Sequence, residues 1–134
     1  MSVFKINGKK LDLSTAIVMG ILNITQDSFY DGGKYLLTKN ILVKTEQMLK
    51  DGASIIDIGA QSSRPGAKSI KSKLEKERLV SAITNIKQHF PEIIISADTY
   101  RAEIAKACME SGADMINDIS AVNMDSRMLY VIAE

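Results

Sequence analysis

A six-residue pattern occurs twice in this chain. Gly52-Ala53-Ser54-Ile55-Ile56-Asp57 returns as Gly112-Ala113-Asp114-Met115-Ile116-Asn117, at a constant offset of 60 residues. In each copy the glycine follows a helix-period run and can take the left-handed position that ends a helix. A short apolar strand comes next, with a polar residue near its C-terminal end. Repeated βα units of this kind restrict the fold severely. They form a parallel sheet, and crossover helices bury it.

The rest of the chain follows the same alternation. Apolar β-type runs cover 16–22, 54–58, 93–97 and 114–119. Between them lie helical stripes: Ile41, Thr45, Met48 and Leu49, then Leu79, Ile83, Ile86 and Phe90 within 71–90, then Ile104, Ala107 and Cys108. These spacings put each set on one helix face. A fourth helix is expected to begin near Met124 and to be still running at Glu134. Residues 3–13 read as a hairpin around Asn7-Gly8, the pair that favours a type I′ turn. A doubly wound sheet and a (β/α)8 barrel both fit this pattern. Four βα units make half of such a barrel, whose usual length is ~250 residues.

Length and composition bound the function. The 134 residues suit a single domain, with 46% hydrophobic and 25% charged residues as in ordinary globular chains. Seventeen Lys and Arg are interspersed with sixteen Asp and Glu, for a formal net charge of +1. No basic stripe points to nucleic acid or to a membrane surface. No apolar run reaches the ~18 residues of a membrane span, and the N-terminus lacks the apolar core of a signal peptide. The one cysteine, Cys108, cannot form an internal disulfide, which fits a cytoplasmic protein. Cys108 lies on an apolar helix face and reads as inert. The one histidine, His89, sits near a helix C-terminus, where a surface role is expected. Without a His/Cys cluster a zinc site is not expected.

Each strand delivers polar side chains near its C-terminal end: Asn23, Asp57, Asp98, and Asn117 with Asp118. Ligands of parallel α/β folds bind outside those ends, where loops and helix N-termini converge. Singly, each is also what a helix cap or turn uses. Asp57 differs, because it interrupts Ile55-Ile56-Asp57-Ile58 and an unpaired carboxylate there is costly. It needs a buried partner or a ligand. The following loop, Gly59-Ala60-Gln61-Ser62-Ser63-Arg64-Pro65-Gly66, adds hydroxyls and a guanidinium suited to phosphate or carboxylate. Alone, it would read as a solvated turn. After Asp57, an anion site is at least as good a reading as a solvated turn.

Three stretches carry a family resemblance: MGILNITQDSFYDGG over 19–33, DIGAQSSRPGA over 57–67 and SADTYRAEIAKACMESGADMINDISA over 96–121. In order and spacing they resemble the N-terminal motifs of the dihydropteroate synthase family, and the likeness covers essentially the whole chain. It implies a (β/α)8 barrel of the pterin-binding class, with residues 1–134 as the N-terminal half of that domain. The implied activity joins 4-aminobenzoate to 6-hydroxymethyl-7,8-dihydropterin diphosphate, releasing pyrophosphate, in folate biosynthesis. By position, Asn23 resembles the ligand of Mg²⁺ at the diphosphate, and Asp98 and Asn117 resemble pterin ligands. Ser63 falls in a substrate-binding loop, beside Arg64. Asp57 and Arg64 are the candidate catalytic residues, Asp57 without an assigned step. The resemblance also implies a cytoplasmic enzyme, homodimeric at full length, and a target of sulfonamides.

There are departures. Gln26 stands where the family commonly has proline, Gln61 where it has glutamate, and Ser63 where it has threonine. The family's later Lys-bearing loop and terminal Arg/His motif are not found in these 134 residues, so little synthase activity is expected of them alone. Two other readings share the pocket: the pterin-binding domain of a methyltetrahydrofolate-dependent methyltransferase, which needs no Mg²⁺, and a non-catalytic half-barrel.

Overall fold

The computed structural model describes residues 3–24, 33–61 and 69–134. Strands β1 (Val3–Ile6) and β2 (Lys9–Asp12) pair antiparallel, with Val3 opposite Asp12 and Ile6 opposite Lys9. Their turn places Asn7 at φ 46° and Gly8 at φ 78°, the two positive φ values a type I′ turn requires. The hairpin is as expected.

The main body alternates β3 (Val18–Asn23), α1 (Gly33–Lys50), β4 (Ala53–Gly59), α2 (Ser72–His89), β5 (Ile94–Asp98), α3 (Ala102–Glu110), β6 (Met115–Asn117) and α4 (Met128–Ala133). The four strands of the second sheet are parallel, in the order β3-β4-β5-β6. Spatial order therefore equals chain order. A doubly wound sheet reverses direction at a switch point, whereas a barrel adds each strand on the same side. Among the described residues the winding is that of a barrel segment, open between β3 and β6.

The pleat sorts side chains onto two faces. Leu22, Ile56, Ile58, Ile95 and Ala97 pack with Ile41, Leu79, Ile83, Ile86, Ile104 and Cys108 of the helices in one buried cluster. Burying each Leu or Ile is worth ~2 kcal/mol relative to exposure. The stripe expected on α2 is therefore the seam of the core. Gly52 (φ 100°) and Gly112 (φ 107°) end their helices in the left-handed region, as the repeat predicts.

The other face of the sheet carries Met19, Ile21 and Asn23, then Ile55, Asp57 and Gly59, then Ile94, Ser96 and Asp98, then Met115 and Asn117. At the N-terminal ends of the strands the hairpin covers it, Leu11 packing with Ile55, Ile94, Ile6, Ile17 and Met115. Asp114 ties that cover down. Its carboxylate accepts from Lys87 Nζ at 2.6 Å, the Ile95 amide at 2.9 Å and Asn7 Nδ2 at 3.2 Å, and pairs with Lys9 at 3.3 Å. Burial opposes its ionisation, but these donors outweigh burial and hold its pKa below the usual carboxylate range. Further up the same face, Ile21 of edge strand β3 is 62% exposed.

The first strand of the sheet starts at Val18 rather than 16, and other ends shift by a residue; the larger differences lie after β5. The last strand is Met115–Asn117 rather than 114–119, and the last helix starts at Met128 rather than near Met124. The cause is two aspartates. Asp118 accepts from the Ser120 amide and hydroxyl and the Val122 amide, while Ala121 and Val122 sit at φ 47° and 63°. Asp125 accepts from the amides of Arg127 and of Ala102 at the start of α3. Side chains thus satisfy backbone groups that a helix or strand would otherwise use.

Candidate functional site

The register aligns the expected polar residues in one row. Asn23 pairs with Gly59, Gly59 with Asp98, and Asp98 with Asn117. Because paired residues of parallel strands share a face, Asn23, Asp98 and Asn117 emerge together at the C-terminal end of the sheet. Asp57 lies two residues below Gly59 on the same face. The four side chains converge as the sequence predicts.

Gly59 makes room for them. A Cβ at this position would stand 3.1 Å from Asp98 Oδ2 and 3.3 Å from Asn23 Oδ1. Those oxygens occupy the space above the glycine, where a larger residue would push them apart. The sequence signal for this was a glycine closing an otherwise apolar strand.

Asp57 is buried, and Asn117 Nδ2 donates to its Oδ2 at 3.0 Å. A carboxylate only accepts, so the amide must turn its nitrogen toward Asp57 and leave Asn117 Oδ1 as an acceptor. Asp57 Oδ1 is buried without a hydrogen-bond partner among the described residues. An orphaned buried carboxylate oxygen costs ~1–3 kcal/mol, and a ligand donor would satisfy it. Asp98 is half-buried. Burial, then the charges of Asp57 and Asp118, raise its pKa to about 6. The site therefore offers acceptors: Asn23 Oδ1, Asp57 Oδ1, the Asp98 carboxyl and Asn117 Oδ1. It suits a flat ligand edge bearing several N–H donors, with Asn23 at one end of the row.

Ser63 and Arg64, and the 25–32 part of the polar loop after β3, lie outside the described residues. The residues flanking 62–68 are described, and they reveal a cluster the sequence reading missed. Glu75 in the first turn of α2 is buried, accepts from Thr99 Oγ1 at 2.7 Å, and forms an ion pair with Arg101. Its placement in a first turn matched a solvated helix start, so nothing in the pattern marked it. Cys108 and His89 behave as expected: burial pushes the thiol up to about 12, and His89 Nδ1 lies 2.9 Å from the Asn85 carbonyl. No group of three His, Cys, Asp or Glu side chains capable of holding a metal exists among the described residues. None of their helices is long and apolar enough to cross a membrane.

The model of one known family, described as pterin binding enzyme, matches residues 19–134. Dihydropteroate synthase of Streptococcus pyogenes serotype M1 is 45% identical over 127 residues, covering 95% of this chain and 47% of its own length. A solved dihydropteroate synthase of Xanthomonas albilineans with 4-aminobenzoic acid superposes with a TM-score of 0.89 at 32% identity, over 98% of this chain and 48% of that one. The Yersinia pestis enzyme with a sulfonamide drug complex gives 0.86 at 37%, over 98% and 47%. The chain spans about half the length of these relatives, and its open four-stranded segment corresponds to part of their barrel.

Proposed function

Since the chain belongs to the pterin-binding enzyme family, we propose that it forms the pterin-binding half of a dihydropteroate synthase. The observation that carries this reading is the row Asn23–Gly59–Asp98–Asn117 above the half-satisfied Asp57. A dihydropterin edge presents ring N–H and amino donors, which match a pocket built of acceptors. Asp98, and Asp57 through its orphaned oxygen, receive those donors. Asn117, fixed by Asp57, adds an acceptor at a set angle.

The reaction joins the amine of 4-aminobenzoate to the pterin methylene. A C–N bond forms, the C–O bond to the diphosphate breaks, the electron pair leaves with pyrophosphate, and the amine loses a proton. Positioning and electrostatics suffice for such a step. Arg64 and Ser63 are assigned to the anionic groups, Arg64 through its planar fork. Asp57 acts by orienting Asn117 and the pterin rather than as a proton carrier.

Mg²⁺ fits the donor set as an ion carried with the substrate. Mg²⁺ takes one or two protein oxygens plus phosphate oxygens and water, and Asn23 Oδ1 is one such oxygen, close to Asp98 Oδ2 across Gly59. When bound, the ion would neutralise charge on the leaving diphosphate. We further assign the protein to the cytoplasm, the longer enzyme to a homodimer, and sulfonamides to the 4-aminobenzoate position.

Calorimetric titration with 6-hydroxymethyl-7,8-dihydropterin diphosphate tests the reading. Binding that strengthens with Mg²⁺ is expected. Binding indifferent to the metal would favour a methyltransferase-type pterin site, and no binding would overturn the proposal.

A further inference from the structure

Strand β6 is only three residues long and lies at an open edge, and its pairing with β5 ends at Asp98 opposite Asn117. So short an edge gives Asn117 few restraints of its own. One more rung follows: the Thr99 amide donates to the Asn117 carbonyl at 3.1 Å. Asp98 and Thr99 are consecutive, so their side chains leave opposite sides of the chain. Asp98 faces the pterin row. Thr99 faces the helices, where it is buried and its hydroxyl donates to Glu75 Oε1 of α2 at 2.7 Å.

Glu75 is a firm anchor for that hydroxyl. Its side chain is 1% exposed, and a carboxylate so buried needs a cation beside it, which Arg101 supplies. Arg101 is held in turn, its Nη1 donating to Gln61 Oε1 at 3.4 Å and its guanidinium carbon lying 4.8 Å from the Tyr100 ring centroid. The sense of the hydrogen bonds is fixed. A carboxylate only accepts, so Thr99 gives Glu75 its one hydroxyl proton, and its oxygen accepts from the Arg101 amide at 3.2 Å. We propose that Thr99, anchored by Glu75, is a positioning residue: from the helix side of the sheet it fixes the spacing of Asp98 and Asn117 that a flat pterin edge requires. The ligand rests on the proposed synthase reading, whereas the tie is made within the chain itself.

The test compares Thr99→Val, which keeps the shape and removes the hydroxyl, with Thr99→Ser, which keeps the hydroxyl. Hydrogen exchange of the residue-99 amide, taken relative to its intrinsic rate, reads the bond to Asn117 without ligand. It should quicken at least about fivefold in Thr99→Val and stay within about twofold in Thr99→Ser. Affinity for 6-hydroxymethylpterin should fall about tenfold in Thr99→Val and stay within about twofold in Thr99→Ser. Where Thr99→Val does not fold, Thr99→Ala takes its place, since the smaller side chain leaves room for a water to serve Glu75. Unchanged exchange in Thr99→Val, quickened exchange with unchanged affinity, or a Thr99→Ser protein that binds as weakly as Thr99→Val overturns the proposal. A parent chain that binds no pterin removes the synthase reading instead, and the exchange result then decides the tie by itself.

Discussion

Replacing Asp98 with asparagine should make the unliganded chain more stable while weakening its ligand binding. Burial and the charges of Asp57 and Asp118 raise the Asp98 pKa to about 6, against an ordinary value of about 4. The folded chain therefore holds a proton that the unfolded chain releases. A carboxyl shifted this way adds nothing below pH ~4, and stability is lost as pH rises from ~4 to ~6, after which the loss is constant. The span from pH ~4 to ~6 sets a ceiling near 3 kcal/mol. Asp98 is only half-buried, so solvent screening reduces this to ~1–1.5 kcal/mol. Asparagine keeps the shape and removes the titration. In urea denaturation, Asp98→Asn should match the parent at pH 4 and exceed it by ~1 kcal/mol at pH 7. The same variant should bind the dihydropterin at least about tenfold more weakly, having lost an ionised acceptor. A stability difference that is constant from pH 4 to pH 7, or that favours the parent at pH 7, would refute the reasoning.

Three further outcomes follow from the geometry. Asn117→Ala leaves the buried Asp57 carboxylate without its donor and should cost ~2–3 kcal/mol in urea denaturation; a cost under ~0.5 kcal/mol would mean the bond is not formed. Gly59→Ala places a methyl group 3.1 Å from Asp98 Oδ2 and 3.3 Å from Asn23 Oδ1, and should weaken pterin binding about tenfold with under ~1 kcal/mol lost in stability. Lys87→Met strips the 2.6 Å partner from Asp114 and should cost ~2 kcal/mol at pH 7. Because Asp114 is held below its unfolded pKa, that cost should shrink as acid protonates the carboxylate below pH ~4 in an acid denaturation series.

How much of this was legible in the sequence depended on the range of the forces involved. Local patterns placed the hairpin, the four strands and the seam of α2, because Asn7-Gly8 and the stripe Leu79, Ile83, Ile86 act within a few residues. The polar strand ends were legible too, since a carboxylate inside Ile55-Ile56-Asp57-Ile58 has few explanations. What local pattern could not supply was pairing across the sheet. The choice between barrel winding and a doubly wound sheet required the strand order. The Glu75–Arg101–Gln61 cluster joins α2, the start of α3 and the loop after β4, and no spacing rule connects them. The region after β6 misled for a related reason. Ile116 and Ile119 suggest a longer strand, and Met124, Met128 and Leu129 a longer helix, but Asp118 and Asp125 spend their oxygens on nearby backbone amides and hold the chain in turns up to Met128.

The central claim is that the C-terminal row of the sheet grips the pterin. Backbone amide shifts recorded during titration with 6-hydroxymethylpterin test it most directly. The largest changes should fall at Asn23, Gly59, Asp98 and Asn117, with Asp57 close behind. Changes concentrated instead in the cavity of about 550 Å³ between α1 and α2, lined by Ile24, Leu37, Ile41 and Leu74, would contradict the account.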